Sequence, residues 1–264
     1  MKNDGVAQSD SNFDQYGRCT PSSLTTPVHK ESRRYFTITQ PQVDYHEIYH
    51  RLNKVFNFSA QLSISDFEVR AKAILNQLSN DECNQNISSG VAVPFILPQA
   101  DYADIGEAFQ STYLEGVKQA FQQVYPAHSF DNFCQGSLQG KLSTTEGARQ
   151  NTLIQAMQKG VVVGYYFPCL LEYSVPAAIE RIATLPENFI LAGGFDTSAA
   201  FIGSPSLLLR EDGYPPLLWT SGFSSDNANE GYHFEAYGYD LTFNRRTHLG
   251  QVAEYWASGL AVLG

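Results

Sequence analysis

The chain has 264 residues, a formal net charge of -10, only 17% charged residues and 13% aromatics, among them 15 Tyr and 17 Phe. That charge argues against a nucleic-acid or anionic-membrane partner, because basic residues double only at Arg33 and Arg34 and at Arg245 and Arg246. The longest apolar run, 161–171, is broken by Pro168 and is too short to cross a bilayer, so no transmembrane segment is expected.

Charged residues make up about 25% of an average soluble protein, so this surface must lean on Ser, Thr, Asn, Gln and Tyr. That is the style of many exported proteins. Residues 1–30 are polar and lack the apolar core of a signal peptide, so the expectation is a secreted or periplasmic mature chain, with a cytoplasmic protein as the alternative. Cys19, Cys83, Cys134 and Cys169 show no C-x-x-C spacing, which disfavours a finger-type metal site. Their even number permits two disulfides with three connectivities, or four free thiols.

Residues 1–30, rich in Asp, Asn, Ser, Thr and Pro, read as an irregular arm before one domain over 31–264. Residues 34–40 alternate as a strand stopped by Pro41. Tyr45, Ile48, Tyr49, Leu52, Val55 and Phe56 then repeat at helical spacing within 43–58. Ser65 and Glu68 form a capping box that opens a helix to Leu78, and 101–125 reads as the longest helix. Ser143 and Glu146 form a second box for a helix reaching Lys159, with Gly160 suited to the left-handed position after it.

The run 161–167 is a strand central in a sheet, and Ser174 caps a helix to Leu185. Beyond residue 188 short apolar segments alternate with turns, and 232–243 reads as one aromatic strand. Thr247 is expected to cap a last helix through Trp256, with a terminal strand or tail over 260–263. The pattern predicts an α+β fold, with a mostly helical N-terminal part packed against a β-rich C-terminal part in one domain.

Two constellations carry chemistry. In His46-Glu47-Ile48-Tyr49-His50 the histidines stand one helical turn apart and can offer two imidazoles to one ion, with Glu47 beside them to take a proton from metal-bound water. The pattern resembles the H-E-x-x-H zinc metallopeptidases called zincins. That resemblance implies zinc held by His46 and His50, Glu47 as general base, and Glu68, eighteen residues further on, as third ligand of a peptide hydrolase. The helical wheel, however, sets both histidines roughly 140° from the centre of the apolar stripe. Glu68 is also explained by its capping box.

The second constellation lies in the C-terminal half. A helix ending at Lys159, the strand after it, and a strand from His233 that ends in Gly238-Tyr239-Asp240 resemble the second half of papain-like cysteine hydrolases. The resemblance implies His233 as base, Asp240 or Asn244 as its orienting partner, Cys19 as nucleophile and Gln15 as oxyanion donor. Pro21 and Pro27 depart from that family, whose cysteine opens a long helix. A third reading needs neither set: a non-catalytic binding or host-interaction protein that meets a peptide or protein partner through amphipathic tyrosines and tryptophans.

Overall fold

Local chemistry sets the helix starts in the first half of the computed structural model, which describes residues 11–134, 136–210 and 212–264. The Asp44 carboxylate accepts the His46 and Glu47 amides and opens α1 (Tyr45–Phe56), which Asn57 ends at a left-handed φ of 52°. Its buried side chains are Ile48, Tyr49 and Leu52. The Ser63 hydroxyl accepts the Asp66 amide at the head of α2 (Ile64–Ser79). The cap therefore lies two residues before the expected Ser65, since Ile64 already packs against the core in the first turn. After β1 (Val93–Leu97), α3 (Ile105–Ala108), a π-helical turn (Phe109–Leu114) and α4 (Glu115–Val124) run on as one helical stretch. It begins at the Asp104 cap, later than the expected Asp101.

Two short strands follow, β2 (Phe130–Asn132) and β3 (Leu142–Thr144). Strand β3 takes the residues of the expected Ser143 capping box, because Ser143 pairs with Ser224 instead. Helix α5 (Gln150–Lys159) starts only after Arg149, and Gly160 behind it is extended, with φ 171°, rather than left-handed. The chain continues through β4 (Val162–Leu171), α6 (Val175–Ile182), β5 (Phe189–Leu191), α7 (Gly194–Gly203), β6 (Leu217–Trp219), β7 (Phe223–Ser225), β8 (Glu230–Tyr237), β9 (Asp240–Thr247) and β10 (Trp256–Leu263).

The main sheet has the order β1-β4-β10-β6-β8-β9-β2, with β5 also on β10, while β3 and β7 form a small ribbon. Pairs are antiparallel except β10 with β6 and β2 with β9. The run read as a central strand is central, flanked by β1 and β10 and buried over nine of its ten positions. Pro168 survives there because the β4–β10 register slips between Ser258 and Leu260. The slip leaves one extra β4 residue outside the ladder, where a missing N–H costs nothing.

Three further sequence expectations differ from the structure. The single aromatic strand is a hairpin, β8 and β9, reversing at Gly238. Residues 34–40 form no strand; Phe36 makes only an isolated bridge to Tyr214. The helix expected after Thr247 is a turn followed by β10, because 256–263 find strand partners on β4, β5 and β6 that outweigh local helical spacing. Residues 1–10 of the N-terminal arm lie outside the described residues; from residue 11 to 44 the arm holds turns and isolated bridges along the end of β4.

The architecture is α+β. Helix α7 is its central pillar: all ten residues are buried, and it packs against α1, α4, β1 and β4. A helix N-terminus so placed cannot give its free amides to water. The Asp196 carboxylate accepts the Gly193 amide at 2.8 Å and the Thr197 amide at 3.1 Å, and Gln150 of α5 donates to its other oxygen at 3.2 Å. Burial raises its pKa from 3.8 to about 7, despite those donors.

Because the folded-state pKa is raised, the stabilising effect of protonated Asp196 is complete below about pH 4 and is lost as pH rises through about 7. Urea unfolding at a series of pH values is expected to show wild type losing up to about 4 kcal/mol relative to Asp196→Asn over that window. A parallel pH dependence in the two proteins would show that the carboxyl is not buried in this way.

Candidate functional site

A hollow in the surface opens where β6 leaves its neighbours. Strand β6 pairs in parallel with the start of β10, Trp256 facing Leu217, and antiparallel with β8, Trp219 facing His233. Past Trp219 the chain turns at Thr220 to Gly222 and joins β7, which pairs back to β3. A groove of about 410 Å³ is left between α6, the start of β8 and the loop at His248 to Gly250.

Its apolar side is a small separate core. Val175, Leu217, Trp219 and Trp256 are buried together, with Ile179 and Leu249 packed on them. The two indoles meet edge to face at 5.0 Å. Gly231 keeps the floor open, since a Cβ there would stand 3.0 Å from Leu249 and 3.1 Å from the Trp219 ring. The other wall carries hydroxyls and one amide. Thr145 shares a 2.7 Å hydrogen bond with Ser224 and donates to the Ser221 carbonyl at 2.9 Å; Ser225 and Asn229 complete this wall. Glu230 is the one carboxylate in the lining and faces Arg245 at 3.5 Å. In a chain of net charge -10 this site is close to neutral.

Polar atoms beneath the groove lack hydrogen-bond partners among the described residues: the indole nitrogens of Trp219 and Trp256 and Nδ1 of His233. Glu235 stands 3.4 Å from His233 Nε2. Burial lowers the His233 pKa and keeps the ring neutral at pH 7. The Ser221 hydroxyl pairs at 2.7 Å with the Ser258 hydroxyl, so the partner it meets is no base. What this arrangement offers is apolar contact and neutral hydrogen bonds.

The residues singled out for metal chemistry do not converge. His46, Glu47 and His50 are exposed on the side of α1 opposite Ile48, Tyr49 and Leu52. Glu47 pairs with Arg51 at 3.3 Å, an exposed contact between residues four apart that is worth about 0.3–0.5 kcal/mol. Glu68 is bound to Lys72 at 2.6 Å on α2. Among the described residues no group of three His, Cys, Asp or Glu side chains is placed to hold a metal ion. The zinc and metal-binding expectations are corrected accordingly, for a plain reason: α1 spends its inward face on core packing, and among the described residues none buries His46, Glu47 or His50 on the other. The disulfide expectation is corrected too, since all four cysteines are free.

The papain-like set is only partly assembled. His233 and Asn244 face each other across the β8–β9 ladder, and Asp240, at the start of β9, accepts the Ser129 amide at 2.7 Å. Cys19 lies elsewhere, its amide donating to the Cys169 carbonyl on β4 and its carbonyl accepting from Tyr173. Strand β4 is three steps from β8 in the sheet, roughly 14 Å, too far for a thiol–imidazole contact. Cys19 is fully buried, and that burial pushes its pKa up despite Arg181 beside it. Gln15 is exposed in the turn before it.

No protein-family model, curated protein or solved structure matches this chain. The groove itself escaped the sequence reading, because its residues come from five separated stretches. Two signals pointed toward it: both tryptophans of the chain meet here, and the hydroxyl-rich run 220–225 follows one of them.

Iodoacetamide under native conditions is expected to modify a single thiol, exposed Cys83, while Cys19, Cys134 and Cys169 react only after denaturation. For Cys134, burial pushes the pKa up to about 12, which adds to its protection. Intact-mass measurement checks this, and rapid native alkylation of Cys19 would revive the nucleophile reading.

Proposed function

We propose that the protein is a binding protein whose ligand site is the groove over Trp219. The observation that carries this reading is the pairing of an apolar, tryptophan-based floor with a hydroxyl-bearing wall in one near-neutral hollow of about 410 Å³. Such hollows suit an uncharged ligand with an apolar body and a few hydrogen-bonding groups. An amino-acid side chain with its flanking amides meets that description. The reading is favoured over a hydrolytic one because the hydroxyls of Thr145, Ser221 and Ser224 are bonded to one another, to Ser258 or to a backbone carbonyl, and among the described residues none is bonded to His248 or Glu230 of the lining.

The tryptophan positions supply the test. The chain has 2 Trp, and both sit in the groove's core, so its indole emission reports on this place alone. Titration with N-acetyl-tyrosinamide and N-acetyl-leucinamide is expected to shift that emission saturably. Gly231→Ala, which puts a methyl group between Leu249 and Trp219, is expected to weaken the response about tenfold while leaving the far-ultraviolet circular dichroism unchanged. An emission that ignores both probes, or a response that survives the substitution intact, counts against the groove.

A further inference from the structure

A second hollow, of about 210 Å³, lies where the N-terminal arm crosses the end of β4, and its chemistry is opposite in kind. Its lining includes Arg18, Arg34, Tyr16, Ser89 and Gly90 and contains no carboxylate. Two arginines gathered without an acid are notable in a chain with 27 acidic and 17 basic residues.

Arg18 is 5% exposed. Its guanidinium donates to the carbonyls of Leu171 at 3.1 Å, Lys30 at 3.3 Å and His29 at 2.5 Å. Those bonds use three of the five N–H groups a guanidinium carries, and every acceptor is a neutral carbonyl. The nearby carboxylates are engaged elsewhere: Asp14 accepts the amides of Tyr16 and Arg18, and Glu172 accepts from Ser32 at 2.7 Å and faces His29 at 3.3 Å. The buried charge thus forms no ion pair among the described residues, and an unpaired buried cation is costly.

Arg34 adds a second charge at the mouth. Its guanidinium carbon lies 3.7 Å above the centre of the Tyr16 ring, and its side chain makes no hydrogen bond to a described residue. Its backbone is held at a left-handed φ of 55°, with the amide bonded to the Ser32 hydroxyl. Stacking fixes the plane of the guanidinium and leaves its edge free to donate. The floor depends on Gly17, which at φ 79° lies against Gly90 so closely that a Cβ would come within 2.3 Å of the Gly90 nitrogen.

We infer that this hollow is a binding site for a small oxyanion, a carboxylate or phosphate group, held between the buried guanidinium of Arg18 and the stacked guanidinium of Arg34. Planar guanidinium forks match both anions, and the anion supplies the charge that Arg18 lacks. The site is separate from the groove over Trp219 and does not depend on it.

The experiment is a titration of the full chain with inorganic phosphate and, separately, with acetate at low ionic strength, followed by backbone amide chemical shifts. Saturable shifts at Gly17, Ser89 and Gly90 are expected, at least about tenfold weaker in Arg34→Gln and suppressed by added sodium chloride. Because Arg34 is exposed, that variant tests the site without disturbing the core, whereas loss of Arg18 would strip three carbonyls of their donor. A response to phosphate alone assigns a phosphate group, a response to acetate alone a carboxylate, and a response to both the shared oxyanion chemistry. Absence of saturable binding by either anion, or binding undiminished in Arg34→Gln, overturns the inference.

Discussion

A helix buried along its whole length needs something other than water at its N-terminus, and in this protein Asp196 supplies an acceptor there. Its carboxyl caps α7 from inside and is tied by Gln150 to α5, while the Gln150 amide also donates to the Leu191 carbonyl at 2.8 Å. One side chain thus joins the central helix, the helix before β4 and the end of β5. Helices α1 and α4 and strand β1 pack around α7. The cost is a buried acid whose pKa lies near 7, which couples the centre of the fold to pH.

The groove follows from the other end of the same construction. Strand β6 is only three residues long and serves two neighbours of opposite sense, β10 in parallel and β8 antiparallel. Its ladders are short, three residue pairs to β10 and two to β8. Where it stops, the sheet parts, and Trp219 and Trp256 fill the base of the gap. The polar wall comes from the turn that takes the chain away to β7. Apolar floor and hydroxyl wall are two consequences of one short strand, and their neutrality contrasts with the arginine hollow on the arm.

The sequence revealed those features that rest on local order. The α1 stripe, the central apolar strand and the Ser174 cap are present because each draws on a few neighbouring residues. Pairing across the chain was illegible: Ser143 lies in a strand because Ser224 is opposite, and Trp256 starts a strand because β6 and β4 receive it. The H-E-x-x-H spacing shows the same limit from the other side. Spacing put His46 and His50 on one face of α1, but nothing in those residues required another element to cover that face. The sheet order separates Cys19 from His233, whereas His233 and Asn244 are register partners across the β8–β9 ladder. The groove and the arginine hollow, drawn from distant stretches, leave only faint traces in the sequence: two tryptophans and a hydroxyl run for one, and Arg18 and Arg34 for the other.

The gap beside β6 is where we propose that this protein meets its ligand. Because the chain has 2 Trp, a nitrogen-15 correlation spectrum carries just two indole N–H signals, and both belong to the base of that gap. On addition of N-acetyl-tyrosinamide, the Trp219 indole signal is expected to move together with backbone amides of 220–231 and 248–250. Shifts confined to other surfaces, with both indole signals unmoved, would contradict it.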